Sequence, residues 1–215
     1  MLDIHYVQVF ISFIVLLFSL TIHEMAHAWT ADRLGDPTAR LLGRVSLNPL
    51  VHADPIGTFV LPLVAAFTGL PVIGWAKPVP VNARNLRHQR RDYLLVVGAG
   101  PASNLVMAIV ASTLLTIVPV SPVRLGEPNI TAPLASFLSL AIQINVLLAV
   151  FNMIPIPPLD GGNLLIGLLP DRLSIVVSRV RQYGFLIIYA LILSGGLDYL
   201  VWPPYRLLVS WLPTR

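Results

Sequence analysis

The chain has 215 residues, 56% hydrophobic and 11% charged, with a mean hydropathy of +0.79 and a formal net charge of +4. Soluble domains carry about 25% charged residues, so this composition excludes an ordinary water-soluble globule and makes lipid the main solvent. The chain has no cysteine, which excludes disulfides and thiolate metal sites, so any metal must be held by imidazole and carboxylate.

The first apolar run, residues 7–31, has the ~20 residues that a membrane helix needs. Met1–Tyr6 has no Lys or Arg, and no small-residue cleavage site follows the run, so it reads as a retained span rather than a secretory signal. Near its carboxyl end stand His23, Glu24 and His27. Glu24 is one of two glutamates in the chain, with Glu127. A carboxylate at hydrocarbon depth costs about 2.5–3.5 kcal/mol on insertion scales, so something must offset it. The four-residue spacing puts both imidazoles on one helix face, with Glu24 beside them. That is the HExxH arrangement, two nitrogen ligands for zinc and a carboxylate to handle protons. At this chain's own residue frequencies the pattern arises by chance in roughly one such chain in a thousand. The bland alternative is a pair of packing histidines with a snorkelling glutamate, and Glu is a short side chain for snorkelling.

The second run, 54–73, holds Pro55, Gly57, Pro62, Gly69 and Pro71, which suits a re-entrant or broken segment. Ahead of it, in SLNPLVHADPIG (46–57), His52 and Asp54 fall near the site-facing side, where one could touch the metal or gate water; the preferred reading is a loop histidine and a turn-starting aspartate, and neither is counted as a metal ligand. The third and fourth runs are 93–120 and 132–155. FNMIPIPPLDGG (151–162) closes the fourth. Pro155, Pro157 and Pro158 cannot continue a regular helix, and with Gly161–Gly162 they bend the chain so that Asp160 can point inward. A catalytic zinc wants three protein ligands and one open position, and Asp160 is better placed for the third than His5, His52 or His88. Taken alone, Asp160-Gly161 would more often be an ordinary turn at a helix end, and only the company of HExxH changes that weighting. A last run, 183–202, leads to a tail, 196–215, whose Trp202, Tyr205 and Trp211 suit an interfacial stretch or a sixth short crossing. The expectation is an all-α polytopic membrane protein, one domain over residues 1–215 with about five to six transmembrane or re-entrant helices.

If one site is built from these segments, its residues must share one depth. HExxH lies near the end of run 7–31 and Asp160 just past run 132–155, and a family resemblance adds Gly100–Asn104, near the start of run 93–120. The first and fourth runs are then parallel, the third antiparallel to both, and run 54–73 cannot make a single full crossing. Charge agrees. Loops 32–53 and 74–92 and the stretch 156–182 carry eleven of the fourteen Lys and Arg, against Arg124 alone in 121–131. The positive-inside rule makes the rich face cytoplasmic, with the amino terminus outside. That predicts an integral protein of the cell (inner) membrane with its site toward the cytoplasm. The basic residues read as topology signals rather than as a nucleic-acid surface.

Taken together these residues resemble the site-2 protease family of intramembrane zinc metalloproteases. In that family a first helix carries HExxH, a Gly-Pro-x-x-Asn signature follows, and an Asn-x-x-Pro…Asp-Gly segment supplies the third zinc ligand. Here those are His23–His27, Gly100-Pro101-Ala102-Ser103-Asn104, and Asn152-Met153-Ile154-Pro155 with Asp160-Gly161. GWAKPVPVN (74–82) resembles a strand-forming segment of the family, so a short strand is expected near residues 74–82. Many members carry a PDZ domain or an extra leading helix; this sequence shows neither, and the compact form is expected. The resemblance implies that His23, His27 and Asp160 bind one Zn2+ and that Glu24 is general base and acid. Asn104 and Asn152 would hold the substrate backbone or order the ligands, or else make interhelical hydrogen bonds.

The function expected is a zinc endopeptidase acting on membrane-spanning substrates, with a single-pass membrane protein or peptide as partner. A helical substrate hides its carbonyls in its own hydrogen bonds, so the segment cleaved must unwind locally. Segments 54–82 and 154–162 are candidate places for an extended strand to dock. A metal or ion transporter would also bury His, Glu and Asp, but such folds show duplicated halves and no second copy of the motif is present. A non-catalytic membrane-peptide-binding protein would have no need of Glu24.

Overall fold

The structure, a computed structural model, describes residues 4–68, 75–118 and 131–213. Their regular elements are all helices, and no strand occurs among them. Helix α1 (Ile4–Arg33) contains no Pro or Gly and runs for 30 residues, about 45 Å at 1.5 Å per residue. It is longer than the ~30 Å hydrocarbon layer, so a motif near its carboxyl end can sit close to an interface. Two short helices follow, α2 (Thr38–Leu41) and α3 (Pro49–His52), the second capped by the Asn48 side chain.

The second apolar run does not cross. Asp54 caps a π-helical turn (Pro55–Val60) by accepting from the N–H groups of Ile56 and Gly57. Helix α4 (Leu61–Thr68) has 8 residues, about 12 Å. Trp75 N–H then donates to Gly57 O at 3.1 Å, so the chain is back where it left. Gly69 and Pro71 of this run, and Gly74 of the expected strand, lie outside the described residues. Residues 75–82 are extended but pair with no neighbouring strand, which corrects the expectation of a strand there. Pro78 and Pro80 remove two donors that a ladder would need.

Helix α5 (Gln89–Ile117) packs on α1 and, most extensively, on α6 (Thr131–Asn152). Ala108 and Ala111 of α5 let the two helices approach closely, against Leu138, Ile142, Val146 and Val150 of α6. The proline-rich turn then leads into α7 (Asp160–Leu168), which packs on α5.

Beyond it, α8 (Asp171–Val180), a 3-10 turn and α9 (Gly184–Leu193) form a stretch apolar enough to span, and α10 (Gly196–Trp211) lies against α6. The last run is therefore divided differently from expectation. A span is offered by 171–193, and the chain breaks at Gly195, whose φ of +70° suits glycine. Residues 171–182, which lie before the expected run, are helical. The tail is the 16-residue α10, with Val201 buried in the main core. In all, four stretches among the described residues are long and apolar enough to cross a membrane: Val9–Arg33, Gln89–Ile117, Thr131–Asn152 and Asp171–Leu193.

Candidate metal centre

Three segments distant in sequence meet at one depth. Nε2 of His23 and of His27 lie 3.1 Å apart, and Oδ2 of Asp160 is 3.1 Å from the first and 3.4 Å from the second. Among the described residues they form the group of His and carboxylate donors able to hold a metal ion.

The other nitrogen of each ring fixes its tautomer. His27 Nδ1 faces the Val96 carbonyl at 2.7 Å, and a carbonyl can only accept, so Nδ1 carries the hydrogen. His23 Nδ1 faces Asn104 Oδ1 at 2.6 Å. The Asn104 amide nitrogen is already committed, donating to Asn145 Oδ1 at 2.9 Å and to Ser19 O at 3.5 Å, so here too the ring is the donor. Both Nε2 atoms are left as lone pairs pointing at one another. Asp160 Oδ2 is buried and accepts no hydrogen bond. Three converging acceptors with no donor between them are unfavourable unless a cation sits among them. Separations of 3.1–3.4 Å suit ligand atoms sharing one ion at bonds of about 2.0–2.1 Å.

Gly100 explains why α5 can come so close. A Cβ built there would run into Nε2 of both His27 and His23. At this position α5 offers backbone instead of side chain to the histidines. The Gly-Pro-x-x-Asn signature therefore has two jobs, room at Gly100 and an acceptor at Asn104, one turn apart.

Glu24 is half-buried and meets the segment at residues 75–82. Its Oε2 accepts from Val79 N–H at 3.0 Å. Asn152 does not join the histidine network. Its amide donates to Leu148 O at 3.0 Å, one turn back, and its side chain lines an apolar cavity of about 940 Å³. That cavity lies between α1, α6, α9 and α10 and reaches the Asp160 turn at Pro158 and Leu159. His52 is buried and bonds Ser46 O at 2.9 Å; Asp54 is the cap already described, so both stand apart from the metal group.

Asn145 is the site residue that motif reasoning passes over. Its signal was visible: a polar side chain in the middle of run 132–155, two helical turns before Asn152. The Val96 carbonyl has no signal in sequence, because any residue would supply it.

Among known proteins, the profile of Peptidase family M50 matches residues 117–195, the part that holds Asp160. Two curated relatives are each named "Putative zinc metalloprotease". YwhC of Bacillus subtilis is 39% identical over 190 residues, covering 88% of this chain and 83% of its own length. Rip2 of Mycolicibacterium smegmatis is 32% identical over 195 residues, covering 90% of this chain and 71% of its own. The chain belongs to peptidase family M50, the site-2 protease family. It is accordingly a zinc metalloprotease with helices apolar enough to span a membrane. No solved structure matches the chain.

Proposed function

We propose that this protease holds one Zn2+ on His23, His27 and Asp160 and cleaves membrane-spanning segments of other proteins, with Glu24 as general base and acid. The observation that carries the reading is the convergence of two Nε2 lone pairs and an unpartnered carboxylate oxygen, on a helix that also carries Glu24. A zinc ion bound there would supply Lewis acidity toward a substrate carbonyl and lower the pKa of a water toward ~7. Metal binding also offsets the cost of burying these groups at membrane depth.

The chain's own residues do the rest. Glu24, with Oε2 held by Val79, takes the proton from the attacking water as the new C–O bond forms. It returns that proton to the amine as the C–N bond breaks, leaving a free amine and a carboxylic acid that then loses its proton to solvent. Asn104 and the Val96 carbonyl keep both rings in the ligating tautomer throughout.

The membrane substrate is supported by the cavity beside the site. Leu16, Leu147 and Leu148 line it and also a second apolar groove of about 660 Å³ between α1, α4 and α6. A single-pass helix lying in that groove can unwind toward Asp160, and segment 75–82 offers it an extended neighbour. The Arg-rich segments around the site support placement toward the cytoplasmic face of the cell membrane.

The test compares wild type with Glu24→Gln, reconstituted in lipid against single-pass peptides, with bound zinc quantified in both. Cleavage by wild type alone at equal zinc is the expected result. Equal cleavage by Glu24→Gln sinks the base assignment. Zinc in both with no cleavage of any peptide favours a binding protein, and no zinc in either overturns the ligand set and brings the transporter reading forward.

A further inference from the structure

Arg44 is a buried cation that the mechanism above does not use. It is 6% exposed, in the loop between α2 and α3. Among the described residues it pairs with no carboxylate. Its guanidinium donates to three carbonyls instead: Val51 O, Lys77 O at 2.7 Å and Pro78 O at 3.0 Å. A buried unpaired charge is costly, and a neutral amide could satisfy carbonyls with less desolvation. The charge itself therefore needs a reason.

The reason lies across one peptide bond. The Pro78 carbonyl and the Val79 N–H belong to the same planar trans group, so the oxygen and the hydrogen point in opposite directions. Arg44 sits on the oxygen. Glu24 Oε2 sits on the N–H at 3.0 Å. With its oxygen held by a guanidinium, this amide has one direction left for its hydrogen, and the cation's pull on the carbonyl strengthens the N–H as a donor. The flanking Pro78 and Pro80 leave Val79 as the lone donor in that stretch, so no neighbouring N–H can substitute.

We infer that Arg44 is a positioning residue of the protease reaction, acting through the Pro78–Val79 peptide to hold the carboxylate of Glu24. This rests on the reading of Glu24 as the base. Segment 75–82 is then a rigid arm rather than a lid, fixed to α3 by Lys77 N–H on His52 O at 2.8 Å and to the end of α1 by Asn82 N–H on Asp36 Oδ2 at 2.6 Å.

The experiment takes the full chain in lipid with Arg44→Gln, Arg44→Lys, Val79→Pro and the Arg44→Gln/Val79→Pro double variant. Arg44→Gln is expected to lower kcat by about 10- to 100-fold with KM and zinc content held, the size of effect that slight misplacement of a reacting group produces. Arg44→Lys should recover part of the loss. Val79→Pro deletes the N–H, and adding Arg44→Gln to it should cost nothing further, because both act through one bond. In metal-free protein the Val79 amide proton, read by NMR, should move upfield in Arg44→Gln and in Glu24→Gln alike. Additive losses in the double variant, an unmoved amide signal, a rise in KM with kcat kept, or a gain in activity would each overturn the inference. A Glu24→Gln protein that stays active refutes the base assignment itself. An inactive Glu24→Gln beside an Arg44→Gln with unchanged kcat refutes this inference alone.

Discussion

His23 and Glu24 are neighbours in sequence and are held in opposite ways. The histidine faces α5, where its contacts are helix against helix: Asn104 accepts from the ring, and Asn145 on α6 braces Asn104. Every group in that bed except the Nε2 lone pairs and Asp160 Oδ2 is matched. The glutamate faces an irregular segment and touches it through one backbone N–H. The comparison separates two demands of metalloprotease chemistry. Ligand atoms must stay put, and close helix packing suits that. A proton carrier must remain reachable by water and substrate, and an extended arm at the edge of the bundle leaves room for both.

The largest effect belongs to the bed. Gly100→Ala would put a methyl group where the two Nε2 atoms are, on a helix that cannot withdraw because α5 is fixed to α6 along its length. Zinc content and kcat should both fall by about 100-fold or more, measured by metal analysis and peptide cleavage on the folded protein. Retained zinc with lost turnover would mean that the bed tolerates movement and that the comparison is drawn too sharply.

Asn104→Leu comes next. It removes the acceptor that sets the His23 tautomer and strands Asn145 Oδ1, costing about 1–3 kcal/mol of stability. Zinc affinity, read by competition with a chelator, should drop about 10- to 100-fold. Asn145→Ala, one step further from the ring, should drop it less. An equal loss in both would make the two asparagines one rigid unit rather than a ligand holder and its brace.

This division was legible in the sequence on one side. The candidate ligands His23 and His27, the glycine and Asn104 are side chains, or the lack of one, at fixed helical spacings, and spacing survives folding; Asp160 was marked by the prolines before it. The parallel and antiparallel sense of α1, α5 and α6 followed from requiring one depth for His23, Asn104 and Asp160. The arm was much less legible. Its key contacts are backbone groups of Lys77, Pro78 and Val79, which no residue type announces, and residues 75–82 satisfy them singly instead of in a ladder. Sequence alone groups Arg44 with the loop arginines that set topology and gives no sign that it is buried. The division of 171–202 was missed because a window of hydropathy is blind to Gly195, where the backbone turns.

The smallest effect on chemistry, and the sharpest on the arm, is at Asp36. It is fully buried just past α1 and accepts from Thr38 N–H at 3.1 Å, Asn85 Nδ2 at 2.9 Å and Asn82 N–H at 2.6 Å, tying the far end of the arm to the helix that bears the motif. Burial alone would raise its pKa, but the hydrogen bonds from Thr38, Asn85 and Asn82 outweigh that and hold the carboxyl below its ordinary value. A depressed carboxylate stabilises the fold fully above the unfolded pKa of ~3.9, and the contribution is lost as pH falls through the lower folded value. Asp36→Asn turns one acceptor into a donor facing N–H groups and should cost about 1–3 kcal/mol in thermal unfolding at neutral pH. The gap to wild type should hold down to about pH 4 and close below it. Zinc content should not change, since Asp36 touches the arm and not the histidine bed. A fall in zinc would join the two regions mechanically, and Glu24 would then be held by the same packing that holds its neighbours.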